Sequence, residues 1–267
     1  MFSRVHTYIY VYKAAIKDTF AFKFDFILMS SVAVIQLAMQ YYFLIHIFRS
    51  VEGIGDFTFK TTVTYLVLNC SVSGIFTYNV DMHLRYDIQY GKIITLLTKP
   101  ISIPQYYVCK GLGIISAKIL TESFLLFFIS FLFFHPLYVP SFFHALCFLV
   151  SFMLGIVLFM QIALFSGFMT FFIEDNTALV RLLFFLRAIF SGALFPLDFF
   201  PLWLQKTATV LPFRLMINSP FKIFLGFIKP YDMVYIFAAQ LFWIGFFYII
   251  MKMVYMAGVK RYHSVGG

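Results

Sequence analysis

Between Gly192 and Phe213 the chain reads GALFPLDFFPLWLQKTATVLPF, a segment apolar enough to enter a bilayer and too broken by proline to cross one. Pro196, Pro201 and Pro212 each remove a backbone donor and interrupt helix. Lipid offers irregular backbone no hydrogen bonds, so at membrane depth such a segment must pack against protein or line a wet cavity. It is expected to dip into the membrane and return, as two short helices that meet near Phe200-Pro201. The alternative for the same stretch is an apolar cap that only stabilises a dimer.

The chain around it is membrane-like. Of its 267 residues 62% are hydrophobic and only 12% charged, against about 25% charged in a soluble domain, and the mean hydropathy is +0.92. These values predict an all-α integral membrane protein, because a spanning segment must satisfy its own backbone. The formal net charge of +9 does not point to nucleic acid. The Lys and Arg lie mainly at the ends of apolar runs, where they set topology and meet lipid headgroups.

Six spans are expected at about 25–48, 61–81, 105–134, 141–172, 178–196 and 231–257, several exceeding the roughly 20 residues needed to cross. An even number leaves both termini on one side. Placing them in the cytoplasm puts about twice as many Lys and Arg inside as outside, as the positive-inside rule requires. Before the first span, residues 1–22 carry Val5, Ile9, Tyr12 and Ile16 at helical spacing, with Lys13 and Lys17 elsewhere around the wheel. This pattern suits a helix lying in the interface, either as an anchor or as a contact for a partner. No cleavage-site pattern marks this region as a secretory signal.

Two connections are too long to be turns. Residues 82–104, MHLRYDIQYGKIITLLTKPISIP, interleave Ile88, Ile93, Ile94, Leu96 and Leu97 with Arg85, Asp87, Lys92 and Lys99. They read as short amphipathic helices at the cytoplasmic surface, ended by Pro100. Residues 192–230 form the second, outer connection.

Chemical motifs are sparse. There is no GxxxxGK[ST], HExxH or GxSxG, the six histidines are scattered, and Cys70, Cys109 and Cys147 lack ligand spacing. Neither a nucleotide, nor a metal, nor a catalytic nucleophile is expected on this chain. Inside the spans the ionisable residues are Lys118, Glu122 and Arg187. Each costs about 2.5–3.5 kcal/mol at mid-span and calls for a partner or a wet cavity. Lys118 and Glu122, four apart, read either as a structural pair or as pathway charges.

The order of these features resembles an ABC-2-type permease, a bacterial transmembrane subunit, over nearly the whole chain. The likeness rests on Gly91 through Pro100, where a glycine is followed by a hydrophobic stretch with paired leucines and then a basic residue and proline. It rests equally on Gly192 through Phe213 with its FP, PxWL and LPF elements. The resemblance implies a single permease domain over 1–267, an exporter half in the bacterial cytoplasmic membrane that pairs with a second permease as homodimer or heterodimer. ATP and Mg would be bound by separate ATPase subunits docked on its cytoplasmic face. It further implies that Arg85, Asp87, Gly91, Ile94, Leu97 and Pro100 belong to the helix that couples to the ATPase. Gly192, Phe195, Pro196, Phe200, Pro201, Leu211 and Pro212 would then form an outer gate. The loop Ile173-Glu174-Asp175-Asn176-Thr177 either adds a polar contact to the coupling surface or caps the fifth span. The alternatives are a secondary transporter or channel without ATPase partners, against which the lack of an intramembrane carboxylate relay counts, and an intramembrane enzyme whose polar residues would have to converge in a pocket.

Overall fold

The computed structural model describes residues 2–21, 23–76, 80–133, 137–173 and 175–265, and every regular element among them is helical. In chain order these are α1 (Phe2–Ala21), α2 (Lys23–Phe48), α3 (Phe59–Phe76), α4 (Val80–Gln89), α5 (Ile94–Leu97), α6 (Ile103–Lys118), α7 (Phe124–Phe133) and α8 (Phe142–Phe168). They are followed by α9 (Thr177–Phe190), α10 (Leu202–Val210), α11 (Asn218–Phe224) and α12 (Pro230–Val265).

Among the described residues, four helical stretches are long and apolar enough to cross a membrane: Ser30–Phe48, Ile103–Ser130, Phe142–Phe171 and Pro230–Tyr262. Of the two other expected spans, the run at 61–81 is helical at both described parts, Phe59–Phe76 and Val80–Gln89, and residues 77–79 between them lie outside the described residues. The run expected at 178–196 ends at Phe190, because Gly192 turns the chain with φ +83°. Fourteen residues at 1.5 Å each reach only about 21 Å. The last helix is longer than expected, since its 36 residues extend about 54 Å, well past a bilayer core.

Helix α8 is the axis of the packing. It contacts α4, α11 and α12, and its Phe152, Ile156, Phe159, Leu164 and Phe168 are buried. Between helices in lipid the gain comes from close packing rather than from expelling water, and the sequence supplies small residues where helices meet. A Cβ on Gly167 would lie 2.7 Å from Leu84 of α4, and one on Gly155 would lie 2.8 Å from the Met216 carbonyl. Gln240 of α12 is fully buried and donates to the Ser151 and Leu215 carbonyls, each at 2.9 Å. This binds α12 to α8 and to the turn after α10.

The N-terminal helix rests on α6 through part of its surface. Val5 and Ile9 are exposed, whereas Ala15 is buried and Tyr12 donates to Ser116 Oγ at 3.0 Å. A Cβ on Gly113 of α6 would fall 2.5 Å from the Tyr12 carbonyl, so α1 lies directly on α6. The α6–α7 span is interrupted by a π turn at Ile119–Ser123. The four-residue spacing of Lys118 and Glu122 therefore does not run along a regular α-helix. Lys118 Nζ donates to the Gly74 carbonyl of α3 at 3.1 Å, and the side chain of Glu122 lies outside the described residues, so the expected Lys118–Glu122 pair does too.

Candidate functional site

The segment expected to couple is a helix, a turn and a second short helix. Leu84, Ile88 and Ile93 are buried and fasten it to the bundle. Asp87 sits at the turn and serves it twice: its carboxylate accepts from Tyr107 Oη at 2.6 Å, and its carbonyl accepts from Ile93 N at 2.8 Å. Gly91 makes the reversal possible with φ +72°, a conformation that costs other residues about 1–2 kcal/mol. Burial, with Lys110 nearby, pulls the His83 imidazole below the usual histidine range.

The expected surface anchors are redistributed by this geometry. Ile93 is the anchor, Leu97 is half-buried against the core, and Ile94 is 51% exposed. Exposed Tyr86 and Tyr90 stack on each other at 6.0 Å, with Arg85 over the Tyr86 ring, and Pro100 is exposed. The helix and turn thus present exposed aromatic and aliphatic side chains. Tyr262, near the end of α12, approaches the same turn, since a Cβ on Gly91 would lie 3.8 Å from its hydroxyl.

The loop before α9 joins this segment. Arg85 pairs with Asp175 at 3.5 Å and donates to Thr177 Oγ1. Asp175 also accepts from Thr177 N at 2.9 Å. These hydrogen bonds, with Arg85 and Arg181 nearby, hold the Asp175 carboxyl below its usual range. Asn176 does not cap α9 with its side chain; its amide donates to the Ser166 carbonyl at 2.7 Å. Glu174 lies outside the described residues.

At the other end of α3 the proline-broken segment is held by its carbonyls. Tyr65 donates to Gly192 O at 2.8 Å, Asn69 donates to Ala193 O, and Gln40 donates to Leu194 O at 3.4 Å. The freed backbone groups therefore face protein, as an interrupted segment at membrane depth requires. Pro196 opens a 3-10 turn over Leu197–Phe199, Pro201 precedes α10, and Pro212 opens another 3-10 turn. The Phe200 carbonyl accepts from Gln205 at 2.8 Å, and Phe195 packs on Phe43 of α2 at 5.9 Å. Leu211 is extended between α10 and the next turn. Lys222 of α11 ties the segment to the next helix with an ion pair to Asp198 at 2.7 Å. Leu197 is buried with Leu204 and Ala208, while Leu194, Leu202, Trp203 and Val210 are exposed.

Arg187, expected inside a span, lies 4.8 Å over the Phe159 ring and 5.3 Å over that of Phe184. It shares a small cavity with Asp81, a residue that the sequence places only at the edge of a span. Among the described residues no three His, Cys, Asp or Glu side chains cluster as a metal site would need.

A family model described as ABC-2 family transporter protein matches residues 34–266. The chain belongs to this family. The match takes in both the turn at Gly91 and the proline-broken segment, so the two regions with the most particular geometry are parts of one ABC-2 transporter membrane protein. No curated protein matches the chain.

Proposed function

We propose that this ABC-2 protein is the permease subunit of an ATP-driven exporter in a bacterial cytoplasmic membrane. In this reading the single domain pairs with a second permease and carries no nucleotide itself. ATP and Mg act on separate ATPase subunits seated on the face of the coupling turn. α3 and α9 complete six membrane passages, with tilt and local thinning accommodating their length, and both termini are cytoplasmic. Residues 1–22 rest at the interface and residues 192–230 form the outer, re-entrant connection. Movement of the coupling turn on nucleotide binding opens the space between paired permeases toward the outside. The outer gate consists of Gly192, Phe195, Pro196, Phe200, Pro201, Leu211 and Pro212. Lys118 and Arg187 act in this reading as partnered charges that hold helices together.

The observation that supports it best is the contrast within residues 82–100. Leu84, Ile88 and Ile93 hold the turn rigidly while Tyr86, Tyr90 and Ile94 stand free, a surface suited to a groove on another protein. The test is Ile94→Asp, on the exposed face, co-expressed with the ATPase from a neighbouring reading frame. A charge desolvated in a groove costs several kcal/mol, so co-purification and ATP hydrolysis by the complex should fall at least tenfold while insertion of the permease is unchanged. Parent-like assembly and hydrolysis would remove this turn from the coupling role.

A further inference from the structure

We propose that α4 and α9 are latched into one unit by two charge pairs of opposite polarity, and that through this latch a displacement of the coupling turn reaches Gly192. The inference rests on the membrane placement proposed above.

Helix α4 carries Asp81 and, one turn on, Arg85. The first pair joins Arg85 to Asp175 at 3.5 Å and to Thr177, at the start of α9. The second is a longer-range pair that sets Asp81 opposite Arg187 of the last turn of α9 across a shared cavity, without a direct contact. These two line a cavity of ≈ 20 Å³ with Ser166, Val180 and Leu183, and their charges attract across it. Ser166 donates to the Asp81 carboxylate at 3.3 Å, while its carbonyl accepts from Asn176 at 2.7 Å. One turn of α8 thereby touches both ends of the latch.

The polarity fixes register. A slide of α4 by one helical turn, about 5.4 Å, that puts Asp81 in the place of Arg85 would set two carboxylates together. It would also strip Arg187 of its counter-charge among Phe159, Phe184 and Leu183, where an unpaired charge is strongly disfavoured. Sliding is opposed at both ends, so the two helices travel together. Their travel is felt at the outer turn because the Arg187 carbonyl accepts from Ser191 N at 2.9 Å, and Ser191 accepts in turn from Asn218 N at 2.9 Å. The residue that answers Asp81 is thus the one that sets the helix end before Gly192.

The experiment uses the full chain in a background with Cys70, Cys109 and Cys147 replaced by alanine. Leu194→Cys, beside Gly192 and 46% exposed, is labelled in intact cells by an impermeant maleimide, with Val139→Cys, 82% exposed, as reference. Asp81→Asn and Arg85→Ala should each change the Leu194 rate relative to Val139 by about threefold or more, the population shift that loss of a partly buried pair supports. The exchanged pair, Arg85→Asp with Asp175→Arg, should return the rate toward that of the parent. Unchanged rates in folded single variants, or no recovery in the exchange, overturn the latch. If the variants do not fold, amide exchange of the parent chain in nanodiscs decides: α4 and residues 177–190 should open with one common rate, and independent opening overturns the proposal. None of these readouts involves an ATPase. Leu194→Cys that stays unlabelled from outside in the parent would instead count against the outward placement, and the amide exchange would still judge the latch.

Discussion

Residues 192–194 are held to the bundle by their backbone, whose carbonyls accept hydrogen bonds from Tyr65, Asn69 and Gln40. The turn at Gly91 is held by side chains, with Leu84, Ile88 and Ile93 sunk into the core. A backbone anchored by distant donors tolerates change in its own outward side chains and is vulnerable at the donors and at the turn. A turn anchored by its own aliphatic residues is vulnerable at those residues and leaves its outer face free to meet something else. The proline-broken segment is thus built to stay satisfied without water, and the turn at Gly91 is built to display a surface.

The sharpest way to break this contrast is Gly192→Ala. The residue has φ +83°, and a Cβ there would lie 2.4 Å from Tyr65 Oη, so both backbone strain and overpacking apply. A loss of about 2–5 kcal/mol is expected, read as a lower thermal midpoint and folded yield in detergent. Tyr65→Phe, next in size, keeps the ring and removes the donor to Gly192 O. Leaving that buried carbonyl unsatisfied should cost about 1–3 kcal/mol, and the Leu194→Cys site should label faster. On the opposite side of the comparison, Tyr90→Ala removes a side chain that is 71% exposed. Its midpoint should move by less than about 0.5 kcal/mol while ATPase co-purification weakens, and a large loss of stability would show that this face is structural.

The smallest effect concerns the loop that meets α4. The carboxyl of Asp175 is held below its usual range in the folded chain. Its contribution is therefore fully present above the unfolded value of about 3.9 and is lost as pH falls through the lower folded value. Thermal midpoints of parent and Asp175→Asn should differ by a constant amount from about pH 8 to about pH 5 and converge below about pH 4. A difference that already closes near neutral pH would assign the contact to another group.

What was legible in the sequence was local. Prolines at 196, 201 and 212 announce the broken segment, and the alternation of charge and aliphatic residues over 82–104 announces short amphipathic helices, though not the turn at Gly91 between them. The long apolar run at 141–172 gave α8 to within a few residues. What was not legible depended on distance in the chain. Tyr65 and Gly192 are 127 residues apart, Gln240 and Ser151 are 89 apart, and no spacing rule links them. Asp81 lay at the edge of an expected span and so escaped notice as the counter-charge of Arg187. The stop of α9 at Phe190 was missed because Ser191 and Gly192 sit in an apolar context that hydropathy alone extends to Pro196. The exposure of Ile94 and burial of Ile93 follow from the turn at Gly91, which sets the phase of the short helix after it.

The π turn at Ile119–Ser123 has a similar effect on phase over a longer reach. One residue added to a helical turn rotates everything beyond it by about 100° relative to an uninterrupted α-helix. The first half of this span, α6, can therefore aim its small residues at α1, while the second half, α7, aims a different azimuth at α2 and α3. A straight helix of the same sequence would have to compromise between those two sets of neighbours. The extra residue works as a fixed offset that lets one membrane passage belong to two packing environments at once.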